Sequence, residues 1–227
     1  MIDRLPEAAA DQALIVGLVG AESTGKTTLA RSMVQALSAD SLRATRVDEF
    51  LRDFCDQHGR TPLQHEQRMI AQSQSDRITT AAAEAGVDIV IADTTALMIA
   101  VYSDFVFADQ SLYAYAEAAQ NQCTLTLLTS LDLPWIADGL QREGEHVREP
   151  IDELVRAALQ RSGVSYSIVG GTGQRRLDAG LAAVRRAWQL HREPQPAQTR
   201  WQWTCERCGE AGCERHWLAK SRAAADE

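Results

Sequence analysis

Long stretches of uninterrupted hydrophobicity are missing from this sequence. No apolar run approaches the roughly 20 residues that span a bilayer, and the opening MIDRLPEAAADQ lacks the charged-then-apolar order of a signal peptide. Positive charge is also in deficit. A net charge of −8 argues against electrostatic adhesion to nucleic acid or to an anionic membrane, while leaving room for a small anion held by local positive groups. Cysteine is scarce and odd in number: five thiols, with no export signal, argue against a disulfide framework and for reduced thiols or metal ligands. These absences point to a cytoplasmic protein. What is present is enough apolar material, 45% of 227 residues, for one full core with an appendage.

Short apolar runs alternate with helical stretches. The strand candidates are Ala13–Val19, Ala44–Val47, Val87–Asp93, Cys123–Thr129 and Ser165–Gly171; a long helical pattern covers Leu63–Ala85, and RRLDAGLAAVRRAWQLHR closes the series. This alternation predicts an α/β fold, a parallel sheet with helices on both faces and ligands at the carboxyl ends of the strands. The expected organisation is a tail over 1–12, a domain over 13–192 with a lid near 131–149, a proline-containing linker over 193–200, a small metal-binding segment over 201–218 and a tail over 219–227.

GAESTGKTTL (Gly20–Leu29) matches G-x-x-x-x-G-K-[ST], and it lies between an apolar strand and a helix, the context the pattern requires. Glycines let successive backbone N–H groups converge on phosphate, and the helix that follows turns its positive dipole end to the same spot. Gly20, Glu22, Ser23, Thr24, Gly25, Lys26, Thr27 and Thr28 are therefore the nucleotide-binding candidates. Lys26 is placed on the β/γ-phosphates and Thr27 on Mg²⁺.

Further candidates sit at the other strand ends. Asp93 ends the third strand, where a carboxylate serves Mg²⁺ directly or through water; the competing reading is an N-cap for the helix that follows. After the second strand, VDEFLRDF offers Asp48 or Glu49 as acceptor of a substrate hydroxyl's proton and Arg52 as partner to the substrate, against the plainer reading of solvated helix charges. LDLPWIADGLQREGEHVRE has the composition of a mobile cover, with Arg142 and Arg148 able to neutralise a transferring phosphoryl group. Gly171, in the turn after the fifth strand, is placed near adenine.

Taken together, these residues resemble the nicotinamide riboside kinase (ribosylnicotinamide kinase) domain of NadR-type NAD-biosynthesis proteins, a P-loop NTPase family. GAESTGKTTL resembles that family's G-x-ESTGK-S/T-T-L, VDEFLRDF its E-x-x-R-E segment, MIAQSQ its I-A-x-x-Q helix, VIADTT its apolar-DT strand end and LPWIADGLQREG its lid, over roughly Leu14 to Arg192. Where that lid carries Arg directly after DGL, this sequence has Gln141 and then Arg142. The resemblance implies ATP and Mg²⁺, Glu49 or Asp48 near an acceptor hydroxyl, Arg52 and Gln72 on the substrate, and phosphorylation of a nucleoside-like small molecule such as nicotinamide riboside. The alternative is a regulatory or partner-binding P-loop ATPase with no small-molecule acceptor.

WQWTCERCGEAGCERHWL is unlike the rest. Cys205 and Cys208 at C-x-x-C spacing, then Cys213 and His216 at C-x-x-H spacing, offer a full tetrahedral set for a structural Zn²⁺ with no open position for chemistry. A tail without fixed structure and a redox-active pair are the competing readings, and recruitment of a protein partner by this segment is left open.

Overall fold

The two most apolar runs of the sequence become the centre of a parallel sheet, because a strand covered on both faces has no polar side to show. The computed structural model describes residues 12–136 and 144–193. In it, β1 (Leu14–Val19) pairs in parallel with β3 (Ile89–Asp93), from Leu14 opposite Ile89 to Leu18 opposite Asp93. β1 pairs on its other side with β4 (Leu125–Thr129). β2 (Ala44–Val47) and β5 (Tyr166–Val169) complete the order β2-β3-β1-β4-β5, every pairing parallel.

Alternation along each strand sorts side chains between two helical layers. Leu14, Val16, Leu18, Ile89 and Ile91 pack with Leu29, Met33 and Leu37 of α1 (Lys26–Ala39) and with Leu181 and Val184 of α7 (Gly173–Arg192). Val90 and Ala92 turn the other way, toward Ile78 of α3 (Gln67–Ala83). On that second face α2 (Phe50–His58), α4 (Ala96–Phe107), α5 (Tyr113–Gln120) and α6 (Arg148–Arg161) share the largest buried cluster. The expected α/β architecture is the observed one.

The long helical pattern from Leu63 resolves into a 3₁₀ turn at Gln64–Glu66 followed by α3, and the fifth strand is shorter than its apolar run, ending at Val169. Capping explains the first difference: the Glu66 carboxylate accepts from Leu63 N–H at 2.7 Å, which fixes a tight turn before α3 begins. The chain divides between Arg192 and Glu193 into two units, and the fold above belongs to the first. Among the described residues no helix is long and apolar enough to cross a membrane.

Candidate functional site

β1 runs straight into the phosphate loop. Gly20 sits at φ +142, and a Cβ there would lie 2.2 Å from Thr129 Oγ1, so only glycine lets the loop cross the end of β4 at this distance. Thr24 and Thr129 then fasten it. Their hydroxyls are 2.7 Å apart, Thr24 Oγ1 donates to Ala21 O at 2.7 Å, and Thr129 Oγ1 lies 3.2 Å from Val19 O. Gly25, at φ +73, is the N-cap of α1, so that helix starts with its free N–H groups at the loop. Lys26 Nζ folds back to donate to Gly20 O and Ala21 O, both at 2.8 Å. Ser23, at φ +53, exchanges hydrogen bonds with the Ile136 backbone, its Oγ donating to Ile136 O at 2.7 Å and accepting from Ile136 N at 3.2 Å. That contact ties the loop to the start of the expected lid.

The neighbouring strand ends bring carboxylates toward the loop. Asp93 is buried at the end of β3, opposite Leu18 of β1, and the next residue, Thr94, holds φ +86, a rare conformation for a β-branched side chain. Gln74, fully buried on α3, keeps Thr94 in place: its Nε2 donates to Thr94 O at 3.2 Å while its Oε1 accepts from Phe50 N at 2.7 Å. One amide thus joins the end of β3 to the first turn of α2. The residue before that turn is Glu49, the N-cap of α2, which accepts from Arg52 Nε at 2.9 Å. Burial pushes the Glu49 carboxyl above its ordinary value; Lys26 and Arg52 pull it back, and Asp93 pushes it up further. Four predicted site residues therefore share one electrostatic neighbourhood. Asp48 does not join them, being 55% exposed and paired with Arg46 at 2.7 Å.

A single cavity of about 1170 Å³ joins these groups, more than one small ligand requires. Its lining includes the phosphate loop from Glu22 to Thr28, Gly173, Gln174 and Arg176 of α7, and Glu49, Arg52 and Gln67. α4 adds Met98, Tyr102 and Phe105 as an apolar wall. This wall explains why α4 is apolar all round: Leu97, Ala100 and Val101 face the core, and the residues between them face the cavity. A sequence reading sees only a buried helix there. The helix's uninterrupted hydrophobicity was the available signal.

Other predicted residues have different surroundings. Gln72 stands exposed on α3, outside the cavity wall; the glutamines that turn inward are Gln67 and Gln74, about one and a half turns and half a turn away from it, because burial follows the helix period. Arg148, first residue of α6, is buried and donates to Leu131 O at 3.2 Å and to Leu133 O at 2.9 Å, so its guanidinium fastens the root of the lid and does not line the cavity. Gly171, at φ +82, donates its N–H to the Asp132 carboxylate. Although burial opposes it, that bond, with others from Ser130 and Arg176, holds the Asp132 carboxyl below its ordinary value. Arg142 and the set Cys205, Cys208, Cys213 and His216 lie outside the described residues. Among the described residues no group of His, Cys, Asp and Glu is arranged to hold a metal by itself.

Comparison with known proteins gives three findings. The family model described as AAA domain matches residues 15–176. No curated protein matches the sequence. Among solved structures, the NadR protein in complex with NAD and AMP-PNP superposes with a TM-score of 0.63 at 20% identity, covering 78% of this chain and 50% of that one. The NadR protein in complex with NR gives 0.63 at 21% identity, covering 77% and 50%. The chain spans about half the length of the solved structures it matches, and at these identities the likeness is one of fold.

Proposed function

The chain belongs to the AAA-domain family, and from that membership we propose that it is an ATP-dependent kinase which phosphorylates a hydroxyl of a nucleoside-like small molecule. The observation that carries this reading is one cavity lined both by a phosphate loop and by a carboxylate–guanidinium pair with an apolar wall. A hydrolase that only senses nucleotide has no need of the pair and the wall. NadR in its solved complexes holds AMP-PNP in one case and NR in the other, which makes nicotinamide riboside the first acceptor to try and a step in NAD biosynthesis the first setting.

The chemistry follows from placement. Lys26, now satisfied by two loop carbonyls, exchanges them for β/γ-phosphate oxygens when nucleotide enters. Glu49 takes the proton of the acceptor hydroxyl as that oxygen bonds to the γ-phosphorus and the bond to the β-phosphate oxygen breaks, releasing ADP. Arg52 holds Glu49 in position through its Nε, beside the place assigned to the acceptor. Arg142 is assigned to the phosphoryl group's charge, with Arg148 supporting the lid from its root. The Thr27 hydroxyl and the Asp93 carboxylate are assigned to Mg²⁺, being oxygen donors of the kind that ion takes, with water and phosphate to complete its shell. When bound, that ion neutralises phosphate charge. Cys205, Cys208, Cys213 and His216 are assigned to a structural Zn²⁺ beyond the kinase unit.

The test is ATP consumption across a panel of nucleosides that includes nicotinamide riboside, each compared with the rate without acceptor. An acceptor-dependent rate with a phosphorylated product supports the kinase. Equal rates with and without every acceptor overturn it in favour of the regulatory ATPase.

A further inference from the structure

Arg176 is an arginine that the phosphate loop pattern does not call for, yet it touches the loop. Its side chain is 6% exposed at the start of α7. One terminal nitrogen donates to Asp132 Oδ1 at 2.8 Å and to Gly171 O at 3.2 Å; the other donates to Thr24 O inside the loop. Asp132 also accepts from Gly171 N–H, which closes a ring of contacts among three chain segments far apart in sequence. The segments are the phosphate loop, the stretch that follows β4 and the turn after β5. Arg176 itself lines the cavity beside Gly173 and Gln174.

A buried ion pair adds little net stability over well-packed apolar groups, and the Arg176 Nε is buried without any hydrogen-bond partner. What the planar guanidinium does supply is a fixed angle between its acceptors, which an ammonium lacks. Thr24 lies one residue before Gly25 and two before Lys26, so a displacement of the Thr24 carbonyl is carried directly to the N–H groups and ammonium that meet phosphate.

We propose that Arg176, locked by Asp132, is a positioning residue that sets the phosphate loop's height and couples it to the turn after β5, so that one clasp governs both halves of the nucleotide subsite. This inference rests on the reading that the loop binds nucleotide. The clasp acts through Thr24 O on the phosphate loop and through Gly171 O on the turn that leads into Gly173 and Gln174, which line the cavity. Lys26 remains the group that touches phosphate.

Two probes separate the halves: Mg-AMP-PNP, which occupies the whole subsite, and inorganic tripolyphosphate with Mg²⁺, which occupies the loop alone. Both are titrated calorimetrically into wild type, Arg176→Ala, Arg176→Lys, Asp132→Asn and the Arg176→Ala/Asp132→Asn double variant, below each variant's melting transition. Arg176→Ala is expected to weaken both probes by about 10-fold or more, the usual scale for losing a charge-assisted contact. Arg176→Lys is expected to restore less than half of that loss on a logarithmic scale, because one ammonium cannot serve three acceptors in a plane. The double variant should match Arg176→Ala within about twofold, since both substitutions break one unit. Weakened AMP-PNP with unchanged tripolyphosphate overturns the coupling, as does full recovery by lysine or simple addition of the two single effects. If Arg176→Ala does not fold, Asp132→Asn carries the same two-probe comparison. A wild type that binds neither probe defeats the nucleotide-site reading itself, whereas a wild type that binds both and variants that bind equally well defeat only the clasp.

Discussion

Glu49 follows β2 and Asp93 ends the adjacent β3, and the proposed function assigns them different partners, so substitution separates the two assignments. Asp93→Asn is expected to depress acceptor phosphorylation and background hydrolysis together, because the proposed function assigns its carboxylate to the metal and the phosphates. Glu49→Gln should leave Mg-ATP binding near wild type and lower acceptor phosphorylation by about 10²–10⁴-fold, the usual worth of a positioned general base. The sign of the pH dependence follows from burial. Burial raises the Glu49 carboxyl above its ordinary value, and the proposed base must be ionised, so kcat/KM is expected to climb with pH along a limb shifted upward from that of an ordinary glutamate. That acidic limb is expected to vanish in Glu49→Gln; a limb that persists in the variant assigns it to another group. Glycine makes the opposite kind of point. Gly20→Ala combines φ +142 with a 2.2 Å clash against Thr129 Oγ1, and a loss of about 3 kcal/mol or more in a denaturant titration is expected; a loss under about 1 kcal/mol would mean that β4 yields easily there.

Among the elements, α4 has the most to say about the acceptor. Its Ala96, Leu97, Ala100 and Val101 hold the core while the partly buried Tyr102 and Phe105 form the cavity wall, so truncating either removes contact area from the ligand with less cost to the core. Tyr102→Ala is expected to raise the acceptor's KM by about 10-fold or more, from the worth of a buried aromatic face, while the KM for ATP changes by less than about threefold. Steady-state kinetics with each substrate varied in turn checks this, and equal effects on both would place Tyr102 in the framework. This wall was hidden from the sequence because a helix buried on all sides shows no periodicity to read. The phosphate loop was legible for the reverse reason, since its chemistry dictates residue types at fixed spacing. Gln74 and Arg176 lie between those extremes. Their sequence signals, a glutamine in an apolar helix and an arginine just after a glycine-rich turn, say that a polar group is buried but not which backbone atoms it meets.

At the scale of the whole molecule, strand order is the part of the fold that sequence alone leaves open, because alternation of strands and helices fixes parallel pairing without fixing neighbours. Only the strongly apolar runs declare themselves central. β1 and β3 do so and lie side by side, which brings Lys26 and Asp93 to one edge of the sheet, whereas the crossing to β4 on the other side of β1 is what delivers Thr129 and Asp132 to the loop. The cysteines follow a different logic. Cys55 and Cys123 lie within the folded unit and neither is in a disulfide; burial pushes the Cys123 thiol up to about 12, which leaves it protonated at neutral pH. The three that remain, with His216, fall within twelve consecutive residues, a span too short to stabilise itself by burial. Purified protein is therefore expected to carry about one zinc per chain by elemental analysis, and Cys208→Ser to lose it, because three ligands bind far more weakly than four. Since the chain divides between Arg192 and Glu193, the zinc-free variant should bind Mg-AMP-PNP within about twofold of wild type. Protein isolated without chelator that holds no zinc defeats the metal assignment, and a zinc-free variant that no longer binds nucleotide defeats the independence of the two units.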